Sequence, residues 1–176
     1  FRRPEFETTT QVDPGPYAMG DHALVTTSAR YYAGGALPNA EVRWNVQASP
    51  GTFAPAGWPD WTFGRPVPWW MRWHRSGGGV THNQSLSSRL GTNGQHVARI
   101  DFDGGEPIQP WAVTAHATVF DVNRQAWTTQ AHVLVHPARL YAGLKCDKAF
   151  AQAGEALKFE LVASDLEGKA VAGVAV

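Results

Sequence analysis

The sequence predicts an all-β chain of two-layer sandwiches set in tandem, the second one truncated. Three observations carry this: strict two-residue alternation, turn residues spaced between the alternating segments, and an internal repeat. In residues 40–48, AEVRWNVQA, Ala40, Val42, Trp44, Val46 and Ala48 form one set; Glu41, Arg43, Asn45 and Gln47 form the other. A period of two marks a strand with one dry and one wet face.

The remaining elements follow in order. Residues 5–12 read as extended, as do residues 21–32, which are rich in Thr, Val and Tyr. AGGALPN at 33–39 is a turn built from Gly, Pro and Asn. A short strand is expected at 86–90, then strands at 95–102 and 111–121, separated by DGGEPIQP. Residues 126–136 come after VNRQ and can pair with 111–121 as a hairpin. The apolar sets of that hairpin are Val113, Ala115, Ala117 and Val119 against Ala131, Val133 and Val135. Helical periodicity is not found. About seven short antiparallel strands with turns between them argue for an immunoglobulin-like β-sandwich.

The repeat appears when Gly20 is aligned with Gly154, an offset of 134 residues. Asp21 then falls on Glu155, Ala29 on Ala163, Gly34 on Gly168, Ala36 on Ala170 and Val42 on Val176, without a gap. Residues 1–136 are therefore expected to form one sandwich and residues 137–176 the start of a second. Only about three strands of the second are expected, which leaves an apolar face and an open edge. The chain is expected to be a piece of a longer protein.

Composition narrows the function. Of 176 residues, 43% are hydrophobic and 17% charged, enough for a real core. Lys+Arg and Asp+Glu are both 15, so no global charge attracts nucleic acid or an anionic membrane. No run approaches the roughly 18 apolar residues of a membrane span, and FRRPEFE at the start is not a signal peptide. The single cysteine, Cys146, can form no internal disulfide and reads as a partly buried small residue.

PEFE at the N-terminus, a Gly-acid pair opening the next strand, and YYAGGALPNAEVRW together resemble a macroglobulin domain of the bacterial alpha-2-macroglobulin family. The matching turn positions are Tyr31, Gly34, Leu37, Pro38, Ala40 and Val42. ATVFDVNRQAW is similar to the family's late hairpin, VLVHPARLYAGL to its junction between domains, and GWPDWTFGRP to a segment inserted after the third strand. The order of motifs implies the third macroglobulin domain and the start of the fourth. The resemblance implies a scaffold role in a cage that traps proteases, with target proteases and the other domains of the parent as partners. It implies a periplasmic parent, in some members lipid-anchored. The family's thioester motif is Cys-x-Glu-Gln; Cys146 stands in CDKA and does not match it.

Candidate chemistry is thin, and no catalytic residue, metal or cofactor is expected. His132 and His136 share a strand face but sit roughly 13 Å apart along it, too far for one zinc with nitrogens at about 2.0 Å. With His116 they read as solvated sheet-face residues. Asp101, Asp103 and Glu106 flank a turn where Asp and Gly serve the backbone, and DFDGGE lacks the ligand count of a calcium loop. Ser28, Ser49 and Ser85 have no nucleophile elbow around them. Gly77, Gly78 and Gly79 lack the Lys-Ser/Thr of a phosphate loop. The residues expected to matter are packing residues (Val42, Trp44, Val46, Val113, Val119, Val133, Val135) and turn residues (Gly34, Pro38, Gly104).

One segment stands out, an insertion at about 50–84 that is far longer than the usual hairpin loop. It holds Trp58, Trp61, Phe63, Trp69, Trp70 and Trp73, with Arg65, Arg72 and Arg75 against Asp60. Exposed together, these rings would make a large apolar patch, so a lid packed on the sandwich is expected. Contact with another part of the parent, and ligand recognition, stay open. Trp69, Trp70, Arg72, Trp73 and His74 are the candidate partner contacts. In the alternative reading the chain is a binding or adhesion module that recognises a glycan or a surface partner through them. Neither reading gives this segment a nucleic-acid partner or direct membrane contact.

Overall fold

A computed structural model describes residues 5–64, 82–103, 109–148 and 150–175, and all regular structure among them is strand. One antiparallel sheet has the order β1 (Phe6–Val12), β3 (His22–Tyr31), β7 (Gln95–Asp101). A second holds β2 (Tyr17–Ala18), β9 (Ala126–His136), β8 (Trp111–Phe120), β4 (Glu41–Pro50) and β6 (His82–Arg89), in that spatial order. Only the β2–β9 pair in it is parallel. The third sheet sets β10 (Leu140–Cys146) between β11 (Phe159–Asp165) and β5 (Thr62–Phe63).

The first two sheets close on one core, as the alternation predicts. Phe6, Ala23, Val25 and Ile100 from one sheet meet Val42, Trp44, Val113, Val119, Val133 and Val135 from the other, all buried. Val46 is half-buried at the edge of this core. Trp44 is 2% exposed. Its indole N–H crosses the gap between sheets and donates to His96 Nδ1 at 3.1 Å, so the one polar atom of the largest buried side chain is satisfied. Near β1, Thr10 Oγ1 and Thr129 Oγ1 lie 2.6 Å apart and tie the layers a second time.

Three elements differ from expectation. β6 begins at His82, not at residue 86, because it pairs with β4 from Glu41 through Ala48. Its sequence HNQSLSSR is exposed on both sides as an edge strand, so no alternation marks its start. β2 and β5 are two residues long, below the length at which periodicity shows. Of the expected turn residues, Gly34 takes φ 99°, where only glycine is unstrained; Gly104 lies outside the described residues.

The repeat holds at the level of single hydrogen bonds. β1 pairs β3 from Phe6↔Tyr31 to Val12↔Val25, and β10 pairs β11 from Leu140↔Asp165 to Cys146↔Phe159, each pair displaced by the 134-residue offset. After the first strand, the Asp13 carboxylate accepts from the Leu24 N–H at 2.7 Å, and Asp147 accepts from Lys158 N–H at 3.2 Å. The Gly-acid pair has a physical role: Asp21 accepts from Ala18 N–H at 2.8 Å, and Glu155 from Gln152 N–H at 3.1 Å. The glycines before these acids take φ 88° and 89°. At the following turn, Leu37 N–H donates to Ala29 O at 3.0 Å and Val171 N–H to Ala163 O at 2.8 Å. The second repeat has two strands of its own among the described residues. Its third partner strand, β5, comes from the insertion of the first.

Trp44→Ala removes the largest buried side chain and orphans His96. Denaturant unfolding is expected to show a loss of about 3–5 kcal/mol; a loss under about 1 kcal/mol would mean the two layers do not depend on this ring.

Candidate functional site at the junction of the repeats

The connection between repeats is short. β9 ends at His136 and β10 begins at Leu140. His136 is buried, which corrects the expectation of a solvated sheet-face histidine. The alternation of β9 breaks at its end, where Val135 and His136 are both covered. Phe53, from the start of the insertion, supplies the cover. Its ring centroid lies 4.6 Å from His136, edge-on, and 4.9 Å from Tyr141. His136 Nδ1 and the Tyr141 hydroxyl lie 2.8 Å apart. The phenol is the natural donor to a neutral imidazole there. The backbone carbonyl of His136 accepts from Met19 N–H at 2.9 Å, which holds β2 against the strand end.

Burial holds the His136 imidazole below its ordinary pKa, and burial pushes Tyr141 up to about 12. His96, the acceptor for Trp44, is likewise lowered by burial. Tyr17 is pushed up to about 12, first by burial and then by its hydrogen bond to Asp13. Asp13, the partner of Tyr17, is shifted the other way, lowered first by that hydrogen bond, so the opposed shifts of this pair have a structural cause.

The other candidates scatter. His132 is exposed and within 3.1 Å of Thr114 Oγ1; His116 sits on β8 opposite Gln130. Asp101 is engaged by Arg99 at 2.8 Å, Asp103 lines a cavity, and Glu106 lies outside the described residues. Ser28 and Ser85 hydrogen-bond to Thr9 and Asn45 across their sheets. Among the described residues no three of His, Cys, Asp and Glu lie together as a metal site. Cys146 is half-buried with Sγ 3.7 Å from Asp147 Oδ1. The cavity, 260 Å³, opens between β6 and the end of β7, with Met19, Ile100 and Trp111 among its walls. Trp69, Trp70, Arg72, Trp73 and His74 all lie outside the described residues. The insertion contacts that the structure does describe, at Phe53, Trp58 and Phe63, were visible in the sequence only as aromatic residues in a long loop.

The pH response follows from these groups. The folded pKa values of His96 and His136 lie below the unfolded value of about 6.5. The unfolded state then binds more protons, so stability is full above that pH and falls as pH drops towards the folded values. Tyr17 and Tyr141 act in the opposite direction: stability present below about pH 10 is lost as pH climbs towards about 12. Melting temperatures across this range are expected to fall at both ends. His136→Asn is expected to shallow the acid limb; an unchanged acid slope would show that the ring is not neutral and buried.

No family model matches the chain. Among curated proteins it is 24% identical over 174 residues to an alpha-2-macroglobulin homolog of Nostoc, a match covering 98% of this chain and 9% of that protein. It is 22% identical over 148 residues to circularly permutated Ras protein 2 of Dictyostelium discoideum, covering 82% of this chain and 4% of that protein. The chain thus spans less than a tenth of either relative. Among solved structures, native E. coli alpha-2-macroglobulin overlays 97% of this chain with a TM-score of 0.68 at 14% identity, over 11% of its own length. The elastase-activated E. coli protein gives 0.69 at 16% identity, covering 96% of this chain and 15% of that one. The methylamine-reacted Salmonella protein gives 0.68 at 13%, covering 97% and 12%. At these identities the overlays establish the fold, macroglobulin-type β-sandwich. Fold and sequence together support a bacterial alpha-2-macroglobulin family segment.

Proposed function

We propose that this chain is a non-catalytic structural segment of a bacterial alpha-2-macroglobulin-like protein whose whole form traps proteases. The observation that carries this reading is the bond-for-bond repeat of one sheet at a fixed offset. A chain that repeats a structural unit and joins the copies through a buried His136–Tyr141 contact is built as framework. The likeness to E. coli proteins described as activated by trypsin and by elastase supports proteases as the targets of the parent. Residues 1–136 and 137–176 are the two units, and the other domains of the parent are their partners. The parent acts outside the cytoplasm, in the periplasm, in some relatives held to a membrane by lipid.

A cage shields a captured protease from large substrates but admits small ones. Trypsin mixed with the intact parent is expected to keep its activity on a small peptide and lose it on a large protein; the isolated chain alone is expected to change neither. Hydrolysis of any substrate by the isolated chain, or loss of small-peptide activity in its presence, would contradict the framework role. Sugar titrations followed by tryptophan fluorescence are expected to show no saturable change; a saturable shift would favour the adhesion-module reading.

A further inference from the structure

The outer faces of the two repeated sheets are not alike. On β1 and β3 the outer positions are Glu7, Thr9, Ser28 and Arg30. Glu7 pairs with Arg30, Thr9 bonds Ser28 at 2.7 Å, and the Arg30 side chain is exposed. The positions 134 residues on are Tyr141, Gly143, Val162 and Ser164, and here Tyr141 and Ser164 are buried. Polar, solvated positions in one repeat are small or apolar and covered in the other.

The cover is the first part of the insertion. It leaves the first sandwich at Gly51, whose N–H donates to Pro110 O at 2.7 Å; a Cβ there would lie 3.0 Å from Ala112 N. Phe53 then packs on Tyr141. The backbone of Ala56 occupies the space a Cβ on Gly168 would need. Trp58 Nε1 donates to Gly168 O at 2.8 Å, with Trp61 edge-on to Trp58 at 5.4 Å. Asp60 lies 3.7 Å from Lys145 Nζ. Thr62 and Phe63 pair with Leu144 and Gly143 as β5. A Cβ on Gly143 would stand 2.6 Å from the Phe63 ring and 3.0 Å from Val162. The first repeat is the internal control. Gly34, the counterpart of Gly168, has the same left-handed backbone, yet nothing lies within 4 Å of where its Cβ would be. Thr9 stands where the second repeat has Gly143.

We propose that residues 53–63 are a strap that fixes the orientation of the second repeat on the first, and that the outer face of β10 and β11 is built as its receptor, with Gly143 as the notch for Phe63. Without it, the link reduces to residues 137–139 and the His136–Tyr141 contact, and relative motion of two small units is the default. This inference does not depend on whether the parent captures proteases.

Spin labels at Ser87→Cys and Glu160→Cys, in a Cys146→Ser background, report the distance between the repeats. The unaltered strap is expected to give one narrow distance distribution. Phe63→Ala, Gly143→Val and Trp58→Phe are each expected to broaden it, with the first two roughly doubling its width. Thr9→Val, at the equivalent position of the first repeat, is expected to leave it unchanged. Cross-strand NMR contacts between Ala142 and Ala163 report whether the β10–β11 pairing survives. Broadening with those contacts intact supports the strap. An unchanged distribution in Phe63→Ala and Gly143→Val overturns it. Broadening only with loss of the contacts also overturns it, since the segment would then be part of the fold of the sheet and not an orienting device.

Discussion

Everything in this molecule follows from one constraint: a sheet whose side chains alternate in polarity has a face that must leave water. In the first repeat that face is covered by a second sheet of matching alternation. Ala23, Val25 and Thr27 on β3 are fully buried under it. In the second repeat the same positions are Leu157, Phe159 and Leu161, and they are 41%, 52% and 64% exposed. Each Å² of apolar surface left in water forgoes about 25 cal/mol. The register is identical and the side chains are larger, yet the face is bare among the described residues. Strand pairing is the same in both repeats; among the described residues only the first has a sheet packed on this face, and that cover is expected to hold it more firmly.

The second repeat is instead held from behind. Its outer face takes residues 53–63, and its entry point takes the ring stack of Phe53, His136 and Tyr141. Both sets of contacts are made with the first repeat, so the two units share an interface before any further packing is counted. Half-buried His96 and buried His136 fit this arrangement. His96 accepts a core hydrogen bond and His136 an interface one, and both serve as neutral polar spacers. The opposed shifts of Asp13 and Tyr17 come from the hydrogen bond between them, within the first repeat.

Much of this was legible in the sequence, for reasons that can be named. AEVRWNVQA declares β4 because a half-buried central strand cannot avoid alternation. The offset linking Gly20 to Gly154 and Gly34 to Gly168 survives because each of these glycines has a left-handed backbone, and the acid at Asp21 or Glu155 caps a turn. The macroglobulin resemblance rested in part on these positions, with PEFE and the turn from Tyr31 to Val42, and the fold bears it out. Other features left no periodic trace. β6 is an edge strand wet on both faces. β2 and β5 contribute two residues each, too few to alternate. His136 looked like a surface residue because sheet parity predicts exposure for its neighbour His132, and the covering ring, Phe53, comes from 83 residues earlier in the chain. Cover supplied from a distance has no local signature. The aromatic content led to the expectation of a lid on the first sandwich; the described part, at Phe53, Trp58 and Phe63, packs instead on residues 141–168, and Trp69, Trp70 and Trp73 lie outside the described residues. The surface it packs on is the second repeat.

The claim that coverage sets the strength of each sheet is tested most directly by native-state hydrogen exchange, residue by residue. The amides of Val25, Ala98, Ala115 and Val119 should exchange only through global unfolding. Those of Leu144 and Leu161 should exchange at least about tenfold faster, through an opening confined to β10 and β11. Equal protection in both sets, lost in one cooperative step with denaturant, would contradict it.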